Sequence, residues 1–143
     1  MEIKALKPDD VAAFDCVAPD VFDDPIDRHA AVEFLCDPRH HLVVAIDDDV
    51  VVGFASAVHY VHPDKPAPEL WINEVGVASS HRGRGVGRAI VAALLERGRA
   101  LGCRDAWVLT EPDNQPALRL YQAAGGVRAP VDTVMFTFSL KTD

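Results

Sequence analysis

Residues 82–88, Arg-Gly-Arg-Gly-Val-Gly-Arg, are the densest concentration of groups suited to binding chemistry in the chain. They stand between an apolar, β-forming run and a run with helical periodicity, so Arg82, Arg84 and Arg88 crowd a helix start. That end of a helix carries about half a positive elementary charge and prefers acids to bases. Gly83, Gly85 and Gly87 permit positive φ and remove Cβ, so successive N–H groups can converge on one anion. The first four helical N–H groups also lack an internal acceptor. A phosphate or pyrophosphate would take those bonds and cancel the repulsion, with about 0.3 to 1 kcal/mol from the dipole alone. Arg97, Arg99 and Arg104 fall near the other helix end, where cations are favourable. Two other phosphate loops do not fit: GxGxxG needs glycine where Arg88 stands, and a P-loop ends in Gly-Lys-Ser/Thr. Glu74 is the second residue of interest, an acid inside the apolar run LWINEVGVA, where a buried salt bridge is the chief alternative to a functional role.

The elements that must position these residues follow from apolar spacing. Residues 2–6 read as a strand, 9–17 and 26–36 as helices, and 41–46 and 50–60 as strands joined in a hairpin through Asp47-Asp48-Asp49. Residues 62–68, rich in proline, read as a rigid loop. Residues 70–78 are nearly apolar on both faces, as a central strand should be. The helix over 85–101 carries Ile90, Val91, Leu94, Leu95, Gly98 and Leu101 on one stripe. A strand at 106–111, a helix at 114–124 with Ala117, Leu120, Tyr121 and Ala124 on one face, and a strand at 134–140 complete a mixed α/β sheet flanked by helices.

At 143 residues, nearly half apolar and a quarter charged, the chain has the composition of one soluble domain, 1–143, with its own core. No apolar run approaches the roughly 20 residues that span a bilayer, and the N-terminus lacks a signal core, so a cytoplasmic protein without a membrane partner is expected. Cys16, Cys36 and Cys103 are read as reduced, mostly buried thiols. His40-His41 and His59-x-x-His62 have no partners of recognisable ligand geometry, so no metal is expected and the histidines are read as surface or strand-end residues. The net charge of −8 hides a division: residues 1–80 hold sixteen acids against five bases, and residues 81–143 hold six against nine. Nucleic acid is a poor partner for such a chain. A polyanion at the arginine segment and a polycation at the acidic half would account for the division, as solubility would.

The residues around both motifs resemble the GNAT N-acetyltransferase superfamily. Its acetyl-CoA signature, Q/R-x-x-G-x-G/A after a strand and opening a helix, matches Arg82 to Gly87. Asn114 to Tyr121, Asn-Gln-Pro-Ala-Leu-Arg-Leu-Tyr followed by Gly125, matches the family's N-x-x-A-x-x-L-Y. The resemblance implies the GNAT fold, a mixed central sheet of six to seven strands flanked by about four helices, with acetyl-CoA as co-substrate. Val75 and Val77 would then offer backbone groups to the pantetheine arm. Residues Arg82, Gly83, Arg84, Gly85, Val86, Gly87 and Arg88 would hold the pyrophosphate, and Asn114 would cap its helix and touch the cofactor. Gly76, between the two valines, fits a close approach to the strand or packing under a helix. Glu74 would hold an ammonium and accept its proton, directly or through water, or act mainly as an electrostatic anchor. The alkyl ammonium, of pKa about 10.4, costs roughly 4 to 5 kcal/mol to deprotonate at pH 7. Tyr121 stands where the family places the acid that protonates the departing thiolate; core packing is its alternative.

A finer resemblance runs from Trp71 to Tyr121 and into VMFTF, to the small aminoglycoside 3-N-acetyltransferases. It implies a polycationic acceptor, antibiotic resistance, and substrate contacts from Glu74 and Glu111 at strand ends, with Asp113, Asp23 and Asp24 on the rim. Asn114 departs from that pattern, where an acid stands, and the N-terminal third is only loosely similar. Acetylation of a polyamine, another small amine or a protein amine, and a non-catalytic acyl-CoA-binding regulatory domain, are the alternatives. Dimers are common in the family, so a homodimer is compatible with the resemblance.

Overall fold

The apolar runs around Asp48 and Asp49 fold as the hairpin that their pattern predicts in the computed structural model, which describes residues 1–130 and 132–142. β2 (His40–Asp47) and β3 (Val50–His62) are joined through Asp48 at φ 52° and Asp49 at φ 63°. Two positive-φ residues make a turn whose twist matches antiparallel strands, and Asp is among the few residues besides glycine that tolerate it. β1 (Glu2–Ala5) pairs antiparallel with β2, and β4 (Lys65–Val77) pairs antiparallel with β3. β5 (Asp105–Val108) lies parallel to β4, so the sheet order is β1-β2-β3-β4-β5. Two 3-10 segments (Pro8–Asp15 and Ser79–His81) and three helices, α1 (Arg28–Cys36), α2 (Val86–Ala100) and α3 (Gln115–Ala123), complete the element list.

α2 covers one face of the sheet and buries Val86, Ile90, Val91, Leu94 and Gly98, most of the stripe read from the sequence. Gly98 admits Leu70 so closely that a Cβ there would stand 3.0 Å from Leu70 Cδ2. On the opposite face Phe22 stacks on Phe54 at 4.0 Å between ring centres, and Phe14 meets Phe22 edge-on. β2 and β3 are buried from Leu42 to Ala45 and from Val51 to Ala57, because both of their faces are covered.

Several expectations are corrected. The sheet has five strands among the described residues, not six or seven. Residues 134–140 form no strand, and Val134, Met135, Phe136, Phe138 and Leu140 are 72% to 90% exposed. Alternating apolar residues favour a strand only where an edge pairs with it, and no described strand does. The segment read as a rigid loop is mostly strand: His62 pairs with Lys65 across a turn at Pro63 and Asp64. Pro66 and Pro68 are tolerated because β5 reaches β4 only at Glu69, so their outer edge has no ladder to interrupt. β5 stops at Val108, and Glu111 lies in a turn where its carbonyl accepts the Asn114 N–H at 3.1 Å. Cys16 and Cys36 are exposed and Cys103 half-buried; at the end of α1 it is Leu35 that turns inward.

His41 is not a surface residue either; it is 3% exposed. Its Nδ1 accepts from Arg97 Nε at 3.2 Å, and its Nε2 stands 2.7 Å from His59 Nδ1. With Nδ1 accepting, Nε2 must carry the proton and donate it to His59, so the geometry selects neutral His41. Burial, then the Arg97 charge, then His59 and His40, push its pKa down to about 4. The unfolded chain takes up this proton near pH 6.5 and the folded chain only near pH 4. The contribution of His41 to stability is therefore complete above pH 6.5 and lost as pH falls through that window, by at most about 3 kcal/mol. Chemical denaturation at pH 7.5, 5.5 and 4.5 should show a smaller loss for His41→Gln, whose amide can keep both bonds, than for the unsubstituted chain; equal slopes would remove His41 from the acid response.

Candidate active site

β4 and β5 pair over four rungs only, Glu69↔Asp105 to Ile72↔Val108. Beyond Ile72, β4 has no partner on that side among the described residues. The Ala78 N–H donates to Val52 of β3 at 2.8 Å, and alternation along the strand turns the N–H and C=O of Val77 and Val75 the other way, toward the gap. Arg82 Nε donates to the Val77 carbonyl at 3.0 Å, which folds that guanidinium over the strand end. Gly76 is required by packing, though not under a helix: a Cβ would stand 2.3 Å from the Val21 carbonyl oxygen and 2.8 Å from Phe54 Cε1.

The turn after β4 is built rigidly and left open at its centre. The Asp20 carboxylate accepts the Ser79 N–H at 2.8 Å, and hydrogen bonding from the Ser79 side chain and backbone, with a lesser effect of the Arg82 charge, holds its pKa down. His81 bonds Asp47 through Nε2 at 2.8 Å and the Ser80 hydroxyl through Nδ1 at 2.7 Å. Gly83 at φ 73° and Gly85 at φ 79° then carry the chain into α2, and a Cβ at either would meet nothing within 4 Å. The Ala89 N–H bonds the Gly85 carbonyl, so Val86, Gly87 and Arg88 present N–H groups that have no helical acceptor. Among the described residues no carboxylate lies within 4.0 Å of the Arg82, Arg84 or Arg88 guanidinium. Val86 turns its side chain into the core against Gly53, and Gly87 packs on Leu120 of α3.

A cavity of about 660 Å³ joins these features, and its wall includes Glu74, Val75, Val77, Arg82, Gly83, Gly85, Val86, Gly87, Arg88, Asn114 and Tyr121. Of the residues read as cofactor contacts, Arg84 alone lies outside that wall. Asn114 Oδ1 accepts the Ala117 N–H at 3.1 Å and so caps α3. Tyr121 reaches the cavity from α3, and burial raises its phenol pKa, so it holds its proton at neutral pH. Such a group can donate to a developing thiolate.

A second cavity, of about 290 Å³, lies under α1 and shares Glu74, Asp23 and Phe54 with the first. Asp23, Asp24, Asp27 and Glu74 place four carboxylates on it among the rings of Phe14, Phe22 and Phe34. Asp27 also caps α1, accepting the Ala30 N–H at 3.0 Å. The cavity, Asp20, Ser56 and the three phenylalanines gave no signal in the sequence. Glu111 and Asp113 are exposed in the turn after β5 and line neither cavity.

The two cavities share Asp23, Phe54 and Glu74 in their walls, with the glycine–arginine turn lining one and four carboxylates the other. The model of the Acetyltransferase (GNAT) family matches residues 8–125. The aminoglycoside N(6')-acetyltransferase type 1 of Salmonella typhimurium is 33% identical over 85 residues, 57% of this chain and 59% of that protein. The L-2,4-diaminobutyric acid acetyltransferase of Shouchella clausii is 36% identical over 80 residues, 56% of this chain and 43% of that protein. The chain thus spans about half the length of these curated relatives. In fold, it is similar to an aminoglycoside acetyltransferase from an uncultured soil metagenomic sample, solved in complex with sisomicin. The TM-score is 0.81 at 18% identity, over 98% of this chain and 96% of that one.

Proposed function

The chain belongs to the acetyltransferase (GNAT) family, and we propose that it moves an acetyl group from acetyl-CoA to a primary amine of a small polycation, best an aminoglycoside. The observation that carries this reading is the sharing of Glu74 between the two cavities. One has the unpaired edge of β4 and the open glycine turn, which suit a pantetheine arm and a pyrophosphate. The other has four carboxylates, which suit a multiply charged amine. Bound acetyl-CoA supplies an activated thioester. Glu74 holds the acceptor ammonium at the junction and takes its proton, directly or through water. Tyr121, protonated at neutral pH, donates to the sulfur as the carbon–sulfur bond breaks and regains a proton from solvent. Val75 and the N–H groups of residues 86–88 orient the donor.

The aminoglycoside reading gains support from the Salmonella relative and from the carboxylate-lined cavity. The 3-N position implied by the sequence resemblance differs from the 6′ position in that relative's name, and the connectivity of the acetylated product separates them. Release of free thiol from acetyl-CoA should be at least tenfold more efficient with kanamycin-type sugars than with spermidine or diaminobutyrate. A preference for spermidine would replace the acceptor class. Acetyl-CoA binding without turnover on any amine would leave a non-catalytic acyl-CoA-binding domain.

A further inference from the structure

Both tryptophans of the chain lie on one exposed piece of the sheet, beside Glu74 and outside both cavities. Trp71 of β4 pairs with Trp107 of β5, and their indoles stack at 5.2 Å between centres and 7° between planes. Trp107 Nε1 donates to the Tyr60 hydroxyl at 2.7 Å. Tyr60 is on β3, two strands and roughly 10 Å away, so the two side chains meet over β4, the strand between them. Tyr60 in turn donates to Glu69 Oε2 at 2.9 Å, and His62 Nε2 stands 3.4 Å from Glu69 Oε1. This chain of bonds fixes the ring, yet Trp107 remains 37% exposed.

Register places the platform relative to the reacting centre. Glu74 pairs with Ser56 and Trp71 with Val58, so the two rungs are two residues of β3 apart, roughly 7 Å. A bulge at Asn73 restores the alternation, and Glu74, Trp71 and Glu69 all face away from α2, against which Leu70 and Ile72 are buried. Asp105, exposed and paired with Glu69, adds a carboxylate to the rim of the same face. A rigid, wet indole flanked by acids suits the C–H face of an amine-bearing saccharide ring, with its ammonium groups held by the rim.

We propose that Trp107 is a second acceptor subsite, which stacks a non-reacting amino-sugar ring while Glu74 holds the reacting amine. This inference rests on the acceptor class proposed above and adds a selectivity for acceptors of two or more rings. With no other tryptophan in the chain, intrinsic fluorescence reports the platform without turnover. Kanamycin added to the full chain without acetyl-CoA should quench or shift that emission saturably, and glucosamine should not at the same concentrations. For Trp107→Ala, the ratio of kcat/KM for kanamycin to that for glucosamine should fall at least tenfold, carried by the KM of kanamycin. Trp107→Phe should restore most of the ratio. Tyr60→Phe, which removes the anchor but keeps the ring, should give an intermediate loss and covers the case in which Trp107→Ala does not fold. Unchanged fluorescence, as when the C-terminal segment covers the ring, or an unchanged ratio in folded variants, would overturn the platform while leaving the acetyltransferase reading intact. Absence of turnover on every amine would overturn the reading itself.

Discussion

Glu74→Gln should lower kcat/KM for the amine acceptor a hundredfold or more while leaving acetyl-CoA affinity within about twofold. Positioned general bases contribute on the order of 10² to 10⁴ in rate. Glutamine keeps the size of the side chain, so the cavity junction retains its shape and only the charge is lost. In the proposed reading the donor meets the β4 edge and the glycine turn, neither of which depends on that charge. In the same reading the acceptor meets Glu74, which lines both cavities. The loss should therefore appear in thiol release, and calorimetric titration with acetyl-CoA should look as it does for the unsubstituted chain. A decrease under fivefold would leave Glu74 as a lining residue and move the proton's destination elsewhere in the two cavities.

Replacement of Gly85 by valine should weaken acetyl-CoA binding by a hundredfold or more. Gly85 adopts φ 79° at the N-terminal cap of α2, and a Cβ there meets no protein atom within 4 Å. The fold then loses mainly the cost of a left-handed backbone, about 1–2 kcal/mol, rather than a steric clash. The new side chain instead enters open space beside the N–H groups of Val86, Gly87 and Arg88, which have no helical acceptor. Thermal melts in the presence and absence of coenzyme A would report both effects at once. Gly85→Val should melt a few degrees lower and lose the rise in Tm that coenzyme A gives the unsubstituted chain. A folded variant that still binds within threefold would mean that the diphosphate lies elsewhere.

The parts of the fold that were legible in advance depend on sequence neighbours. The β2–β3 hairpin rests on three consecutive aspartates between apolar runs, and α2 on a stripe repeating every three or four residues. The strand expected at 134–140 has equally clear alternation, but a strand needs an edge, and that is not a local property. The same reasoning separates the histidines: nothing in His40-His41 distinguishes a side chain at a strand end from one enclosed by Arg97 and His59, which lie 56 and 18 residues away. Glu111 reads as a strand-end acid until β5 stops three residues earlier, at Val108.

By itself, then, the sequence determined the chemistry of the glycine–arginine turn. Glycine freedom, unpaired N–H groups and repelling arginines are written into seven consecutive residues, as is the acid placed among apolar neighbours in the preceding strand. Only the tertiary structure decided what those residues face. The pairing of β5 with β4 only as far as Ile72, the presence of Asp23 and Glu74 on one cavity wall, and the hydrogen bond from Trp107 to Tyr60 all join positions tens of residues apart. Backbone conformation and periodicity are set by adjacent residues, whereas convergence is set by which faces pack together.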